Sequence, residues 1–135
     1  MYFIQQYLRI TLLISLISLS PFAHANPVAC FNTNIGNYCV ELFETQAPRT
    51  TANFLDYINN DAYTNGIFHR SVPNFIIQAG HFRIVNSNQG NTLAVVSTFP
   101  PIENEFKISN TRGTLAMAKI AGDPNSATSE WFINL

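Results

Sequence analysis

An apolar stretch without amphipathic period opens the chain. Ile10 to Leu19 reads ITLLISLISL, Ser20-Pro21 breaks it, and Ala23-His24-Ala25 follows. Beyond it the pattern changes to short β-prone runs. Val28 to Thr33 and Tyr38 to Phe43 flank Asn34-Ile35-Gly36-Asn37, whose turn residues make the pair a hairpin. Ala47-Pro48 then opens a helix, because proline costs nothing in the first turn. Ala47, Thr51, Phe54, Leu55 and Ile58 recur at helical spacing and give it one apolar face, which ends at Asn59-Asn60-Asp61. Ile67 to Val72 and Phe75 to Ala79 read as two short strands around Pro73-Asn74. Asn86 to Asn91 is polar and reads as loop, and Pro100-Pro101 forbids regular structure. Gly113 to Ala118 is a strand, Ala121 to Ser129 a loop, and Glu130 to Leu135 a further strand. Short strands around one helix predict a β-barrel or an α+β domain.

Composition narrows the function classes. Charged residues are 11% of the 135 and the net charge is -1. So neutral a chain has no electrostatic footprint for nucleic acid or an anionic membrane. Its 11 Phe and 5 Tyr exclude a disordered chain. Two cysteines are too few for a disulfide framework or a Cys-based zinc site. Arg9, the apolar run and Ala23-His24-Ala25 have the layout of a secretory signal peptide over residues 1–25. The run is well short of the roughly 20 residues of a membrane span. Cleavage after Ala25 leaves one domain, residues 26–135, in the periplasm or secreted, an oxidising compartment with no membrane attachment. Cys30 and Cys39 fall on one face of the first hairpin. A cross-strand disulfide and two buried free thiols are both open there.

The densest chemistry lies in Phe68-His69-Arg70 and Phe75-Ile76-Ile77-Gln78. Alternation places His69 opposite Phe68 and Arg70, and Arg70 near an aromatic and a carboxamide. A fixed cation beside apolar surface is costly, so a solvated or acid-paired arginine is the plainer reading on spacing alone. His69 and His81 have no companions at ligand spacing and read as structural histidines, with no metal site. Ser129, His81 and Asp123 make a hydrolase triad only on paper, since no nucleophile elbow supports it. Trp131 lies in an apolar run and reads as core.

These segments closely resemble, in order, the cyclophilin family of peptidyl-prolyl cis-trans isomerases, nearest its short bacterial secreted members. The matching residues begin with Glu41-Leu42-Phe43, Ala47-Pro48-Arg49-Thr50 and Asn53-Phe54. The run from Phe68-His69-Arg70 through Phe75 and Gln78 to Gly80 looks like the family signature. Glu103-Asn104-Glu105-Phe106, Asn110 to Ala118 and Asp123 to Asn134 complete the match. The resemblance implies a mainly β fold, an antiparallel eight-stranded barrel with two capping helices. Here it is incomplete, with about six strands and one helix. It also implies isomerisation of X-Pro bonds, with proline-containing polypeptides as substrates, cyclosporin-like macrocycles as weak ligands, no cofactor, and a monomer when full length. Arg70 matches the catalytic arginine and Gln78 the groove glutamine that holds it. Phe75, Ile76 and Phe132 match the proline slot, with Met117 nearby. Ala118 and Lys119 match the edge that bonds the substrate backbone.

Glu130-Trp131 departs from the family's common Gln-Phe. A carboxylate there is expected to pair with Arg70 and divert its donors, and together with the missing later segment it favours a proline-peptide binding module or an inactive fragment over an enzyme. Ala79 replaces a common glycine. On the family alignment Leu135 falls inside the sixth strand, without the later strands and second helix. Residues 26–135 alone are therefore expected to leave open edges, with Glu130 to Leu135 lacking its following neighbour, and to aggregate.

Overall fold

The computed structural model describes residues 25–135, so the signal segment expected over residues 1–25 lies, except for Ala25, outside the described residues. The elements run β1 Val28–Thr33, β2 Gly36–Glu41, α1 Pro48–Asn59, β3 Arg70–Val72, β4 Ile76–Ala79, β5 Phe82–Ser87, β6 Gly90–Val95, β7 Leu115–Met117 and β8 Trp131–Asn134. The mainly β class with one helix therefore stands. The described residues hold eight short strands in three sheets, where about six strands were expected. Hairpins β1-β2 and β5-β6 stand as pairs, and a four-stranded antiparallel sheet runs β3-β4-β8-β7.

Several boundaries move. The first turn tightens to Asn34-Ile35, and β2 begins at Gly36 and ends at Glu41. Ile67 to His69 lie outside β3, and Phe75 belongs to the turn before β4. The last two strands shorten to Leu115–Met117 and Trp131–Asn134. Asn86, Ser87, Gly90 and Asn91, read as loop, belong to β5 and β6. By register Phe82, Ile84, Leu93 and Val95 share one face of that hairpin, and the polar residues read as loop form its exposed far end, past the apolar alternation that marks a strand in sequence. β8 is also not left without a neighbour, since it pairs with β4 on one side and β7 on the other.

Cys30 faces Cys39 across the β1-β2 ladder, and the two form a disulfide. Both lie on the exposed face, so buried thiols are ruled out. The opposite face presents Ala29, Phe31 and Val40 to a core that holds Leu42, Phe54, Ala79, Met117, Ala127 and Trp131. Helix α1 supplies Phe54, and also Tyr57, which is 0% exposed and was missed as part of its buried face. Tyr57 is legible as core only once its partners are known. It stacks on Tyr63 and packs against the tilted ring of Phe99, and its hydroxyl accepts the Phe99 N–H at 2.8 Å.

Two ties fix the approach to β8. Asn53 Nδ2 donates to the Thr128 carbonyl at 2.9 Å, and Tyr63 Oη donates to the Ser129 carbonyl at 2.8 Å. Gly80 passes so close that a Cβ there would lie 2.3 Å from the Ser129 oxygen, and its φ is +86°. Only glycine fits both conditions.

Candidate functional site

Strand register builds the site. Arg70 pairs with Gln78, Gln78 with Phe132, and Phe132 with Ala116. Paired residues of antiparallel strands share a face, so these four side chains form one row across the sheet. The neighbouring row, Ala79, Trp131 and Met117, occupies the opposite face and enters the core. Met117 was expected beside the groove. Its pairing with buried Trp131 puts it on the core side, and small Ala116 takes the place next to Phe132.

Phe75 stands at the end of the Pro73–Phe75 turn. Asn74 adopts φ +57°, a conformation asparagine tolerates, and the Phe75 N–H closes the turn on the Val72 carbonyl at 3.1 Å. Phe75 is 54% exposed, with the Arg70 guanidinium carbon 6.0 Å from its ring centroid. Ile76 is buried and follows the same face as Gln78, while Phe132 is half-buried. Arg70, Gln78, Phe75 and Phe132 thus surround an apolar floor with a cation at one end.

The polar side is a chain of hydrogen bonds. Arg70 Nη1 donates to Gln78 Oε1 at 3.1 Å, and Gln78 Nε2 donates to Glu130 Oε2 at 2.7 Å. Glu130 Oε1 lies 2.8 Å from His81 Nδ1, and Oε2 lies 3.4 Å from His69 Nε2. The expected pairing of Glu130 with Arg70 therefore does not occur, because both carboxylate oxygens are spent on Gln78 and the two histidines. Among the described residues Gln78 is the only hydrogen-bond acceptor of Arg70, which leaves most of its five donors free for another molecule.

The edge of the sheet lies beyond Phe132. The Ala118 N–H is committed to the Glu130 carbonyl at 2.8 Å, so it is not a free contact. Lys119 Nζ donates to Asn104 Oδ1 at 2.9 Å. Its backbone N–H has no partner among the described residues and fits an edge contact better than that of Ala118. The paper triad dissolves. Ser129 is 2% exposed, His81 faces Glu130, and the Asp123 carboxylate accepts the Asn125 N–H.

Comparison with known proteins accords with this arrangement. The family model described as cyclophilin type peptidyl-prolyl cis-trans isomerase/CLD matches residues 28–135. A peptidyl-prolyl cis-trans isomerase of Acinetobacter baylyi is 41% identical over 129 residues, covering 94% of this chain and 64% of its own length. Peptidyl-prolyl cis-trans isomerase B of Escherichia coli is 42% identical over 107 residues, covering 78% and 60%. The chain therefore spans less than two thirds of the length of both relatives. A cyclophilin type isomerase of Cryptosporidium parvum superposes with a TM-score of 0.63 at 30% identity, covering 82% of this chain and 67% of its own. The same protein solved in the presence of the dipeptide Ala-Pro gives a TM-score of 0.58 at 30% identity, covering 74% and 62%.

Proposed function

The chain belongs to the cyclophilin type peptidyl-prolyl cis-trans isomerase family, and from that membership we propose that it accelerates rotation about X-Pro bonds in polypeptides. Rotation about a peptide bond is slow because twisting breaks amide resonance, at a cost of roughly 18–20 kcal/mol. No bond is made or broken, so the catalyst needs only to bind the twisted amide better than either planar form. Twisting pyramidalises the proline nitrogen and exposes its lone pair. The Arg70 guanidinium keeps its protons at any working pH and offers them to that lone pair. Phe75, Ile76 and Phe132 take the apolar proline ring, and Gln78 holds Arg70 beside it. The Lys119 backbone takes the substrate chain. A cyclosporin-like macrocycle is a weak second occupant of the same groove.

The observation that carries this reading is the register of Arg70, Gln78 and Phe132 in one row. A protease-coupled assay on an X-Pro peptide tests it. Arg70→Ala is expected to lower turnover by about two to three orders of magnitude, the scale of removing one aimed donor. Equal turnover in variant and parent overturns the proposal. The binding-module alternative rested on a Glu130-Arg70 pair and on the lack of the later strands and second helix, and the bonds of Glu130 to Gln78 and His81 remove the first of these grounds.

The proposed compartment is the periplasm or the exterior, with residues 1–25 removed as a signal. The Cys30-Cys39 disulfide supports it, because such bonds persist in oxidising surroundings. Mass spectrometry of the exported chain is expected to find Asn26 at the N-terminus, and an intact Met1 in the membrane fraction overturns it.

A further inference from the structure

We infer that Glu130 is a positioning residue for Arg70, acting through the side-chain amide of Gln78. The inference rests on the isomerase reading and deepens it. A glutamine amide has a donor end and an acceptor end, and its neighbours decide which way it faces. An ionised carboxylate only accepts. Glu130 Oε2 therefore draws the Gln78 Nε2 group to itself at 2.7 Å, which turns Gln78 Oε1 toward Arg70 at 3.1 Å. The reversed amide sets two acceptors face to face at Glu130 and two donors face to face at Arg70. Both ends then lose their bond.

The carboxylate is itself aimed. It is half-buried, where hydrogen bonds to a charged group are stronger than in open water. His81 approaches from the start of β5 at 2.8 Å and His69 from the segment before β3 at 3.4 Å. Glu130 also accepts the Ala118 N–H through its backbone carbonyl, which fixes its place beside β7. Sheet order β3-β4-β8 puts Gln78 between the strand that carries Arg70 and the strand that Glu130 leads into. Among the described residues Gln78 is thus the only side chain that bonds both. The sequence showed Glu130 as a threat to Arg70. The register makes it the residue that holds Arg70 ready.

X-Pro isomerisation kinetics and side-chain NMR on the full chain test the inference. Glu130→Met removes the acceptor at similar length and is expected to lower kcat about tenfold while KM moves less than about twofold. Glu130→Gln keeps an acceptor for Gln78 and is expected to restore turnover to within about threefold. In a Gln78→Ala background Glu130→Met is expected to cost less than about twofold, since its route to Arg70 is already gone. Glu130→Ala is read in the same two backgrounds, so misfolding of one variant does not decide the matter. An equal cost in both backgrounds, or no cost in either, overturns the inference. Arg70→Ala is the control for the underlying reading. If it keeps parental turnover, the isomerase reading fails, and the NMR measurement alone judges Glu130. The Gln78 amide and Arg70 Nε–H resonances are expected to shift in Glu130→Met and to return in Glu130→Gln. Unchanged resonances in Glu130→Met overturn the inference whatever the turnover.

Discussion

Gly80 sits at the end of β4 with the backbone of Ser129 and Glu130 against it. A methyl group there meets the Ser129 oxygen at 2.3 Å and the Glu130 Cα at 3.1 Å, and neither backbone atom can swing aside. Strain from positive φ adds to this crowding. Gly80→Ala is expected to cost roughly 2–4 kcal/mol in urea unfolding, the sum of both effects. It is also expected to lower turnover, because the backbone that must yield carries Glu130. At this scale the sequence was informative wherever a residue type has one job. Arg70, Gln78 and Phe132 were legible together through the resemblance, and Trp131 through its apolar neighbours. The partner of Glu130 was not legible. It depends on a register between strands more than 50 residues apart in sequence, and Gln78 intercepts the carboxylate before Arg70.

Helix α1 begins without a cap of its own, since Ala47 has no side chain to accept the first N–H groups. Glu105 supplies the cap from a distant loop. Its oxygens accept the Arg49 N–H at 3.1 Å, the Thr50 N–H at 2.8 Å and the Thr50 hydroxyl at 2.9 Å. Arg49 also forms an ion pair with Glu103. Glu105→Ala is expected to cost about 1–2 kcal/mol, the scale of a lost cap at a helix N-terminus. Burial pushes the Glu105 carboxyl up, but the Thr50 and Arg49 N–H groups, the Thr50 hydroxyl and the Arg49 charge outweigh it. The carboxyl ends below its ordinary 4.5. A lowered folded value means that the stabilisation is complete above about pH 4.5 and fades as pH falls through the folded value. Acid unfolding curves of parent and Glu105→Ala are therefore expected to converge below that point. The elements themselves were legible where period or turn chemistry was strong, as in β1-β2 and α1. They were not at the far end of β5-β6, where Asn86, Ser87, Gly90 and Asn91 are polar and exposed and the apolar alternation of Phe82, Ile84, Leu93 and Val95 has ended.

The β1-β2 hairpin, helix α1 and the four-stranded sheet meet around one aromatic cluster. Phe31 from β1 lies 5.0 Å from Trp131 of β8, and Phe54 of α1, Tyr63 and Phe68 pack edge-on against the same indole. The disulfide closes the hairpin that carries Phe31, with a separation of 9 residues. Cross-links over loops of that length restrict the unfolded chain by on the order of 2–3 kcal/mol. Unfolding in the presence of reductant is expected to show a loss on that scale with the native spectrum retained, and an unchanged midpoint counts against it. Trp131 carries a further consequence, because it is the single tryptophan of the chain. Its indole N–H is buried without a partner among the described residues, and 3% of its surface reaches solvent. The chromophore therefore emits from an apolar medium, well to the blue of indole in water, and reddens as the core opens. Its neighbour Phe132 points to the opposite face, into the row with Arg70. On the proposed function, an X-Pro peptide entering that row is expected to press on the backbone that holds the indole and to change the native fluorescence with no label attached, and unchanged emission at saturating peptide counts against it.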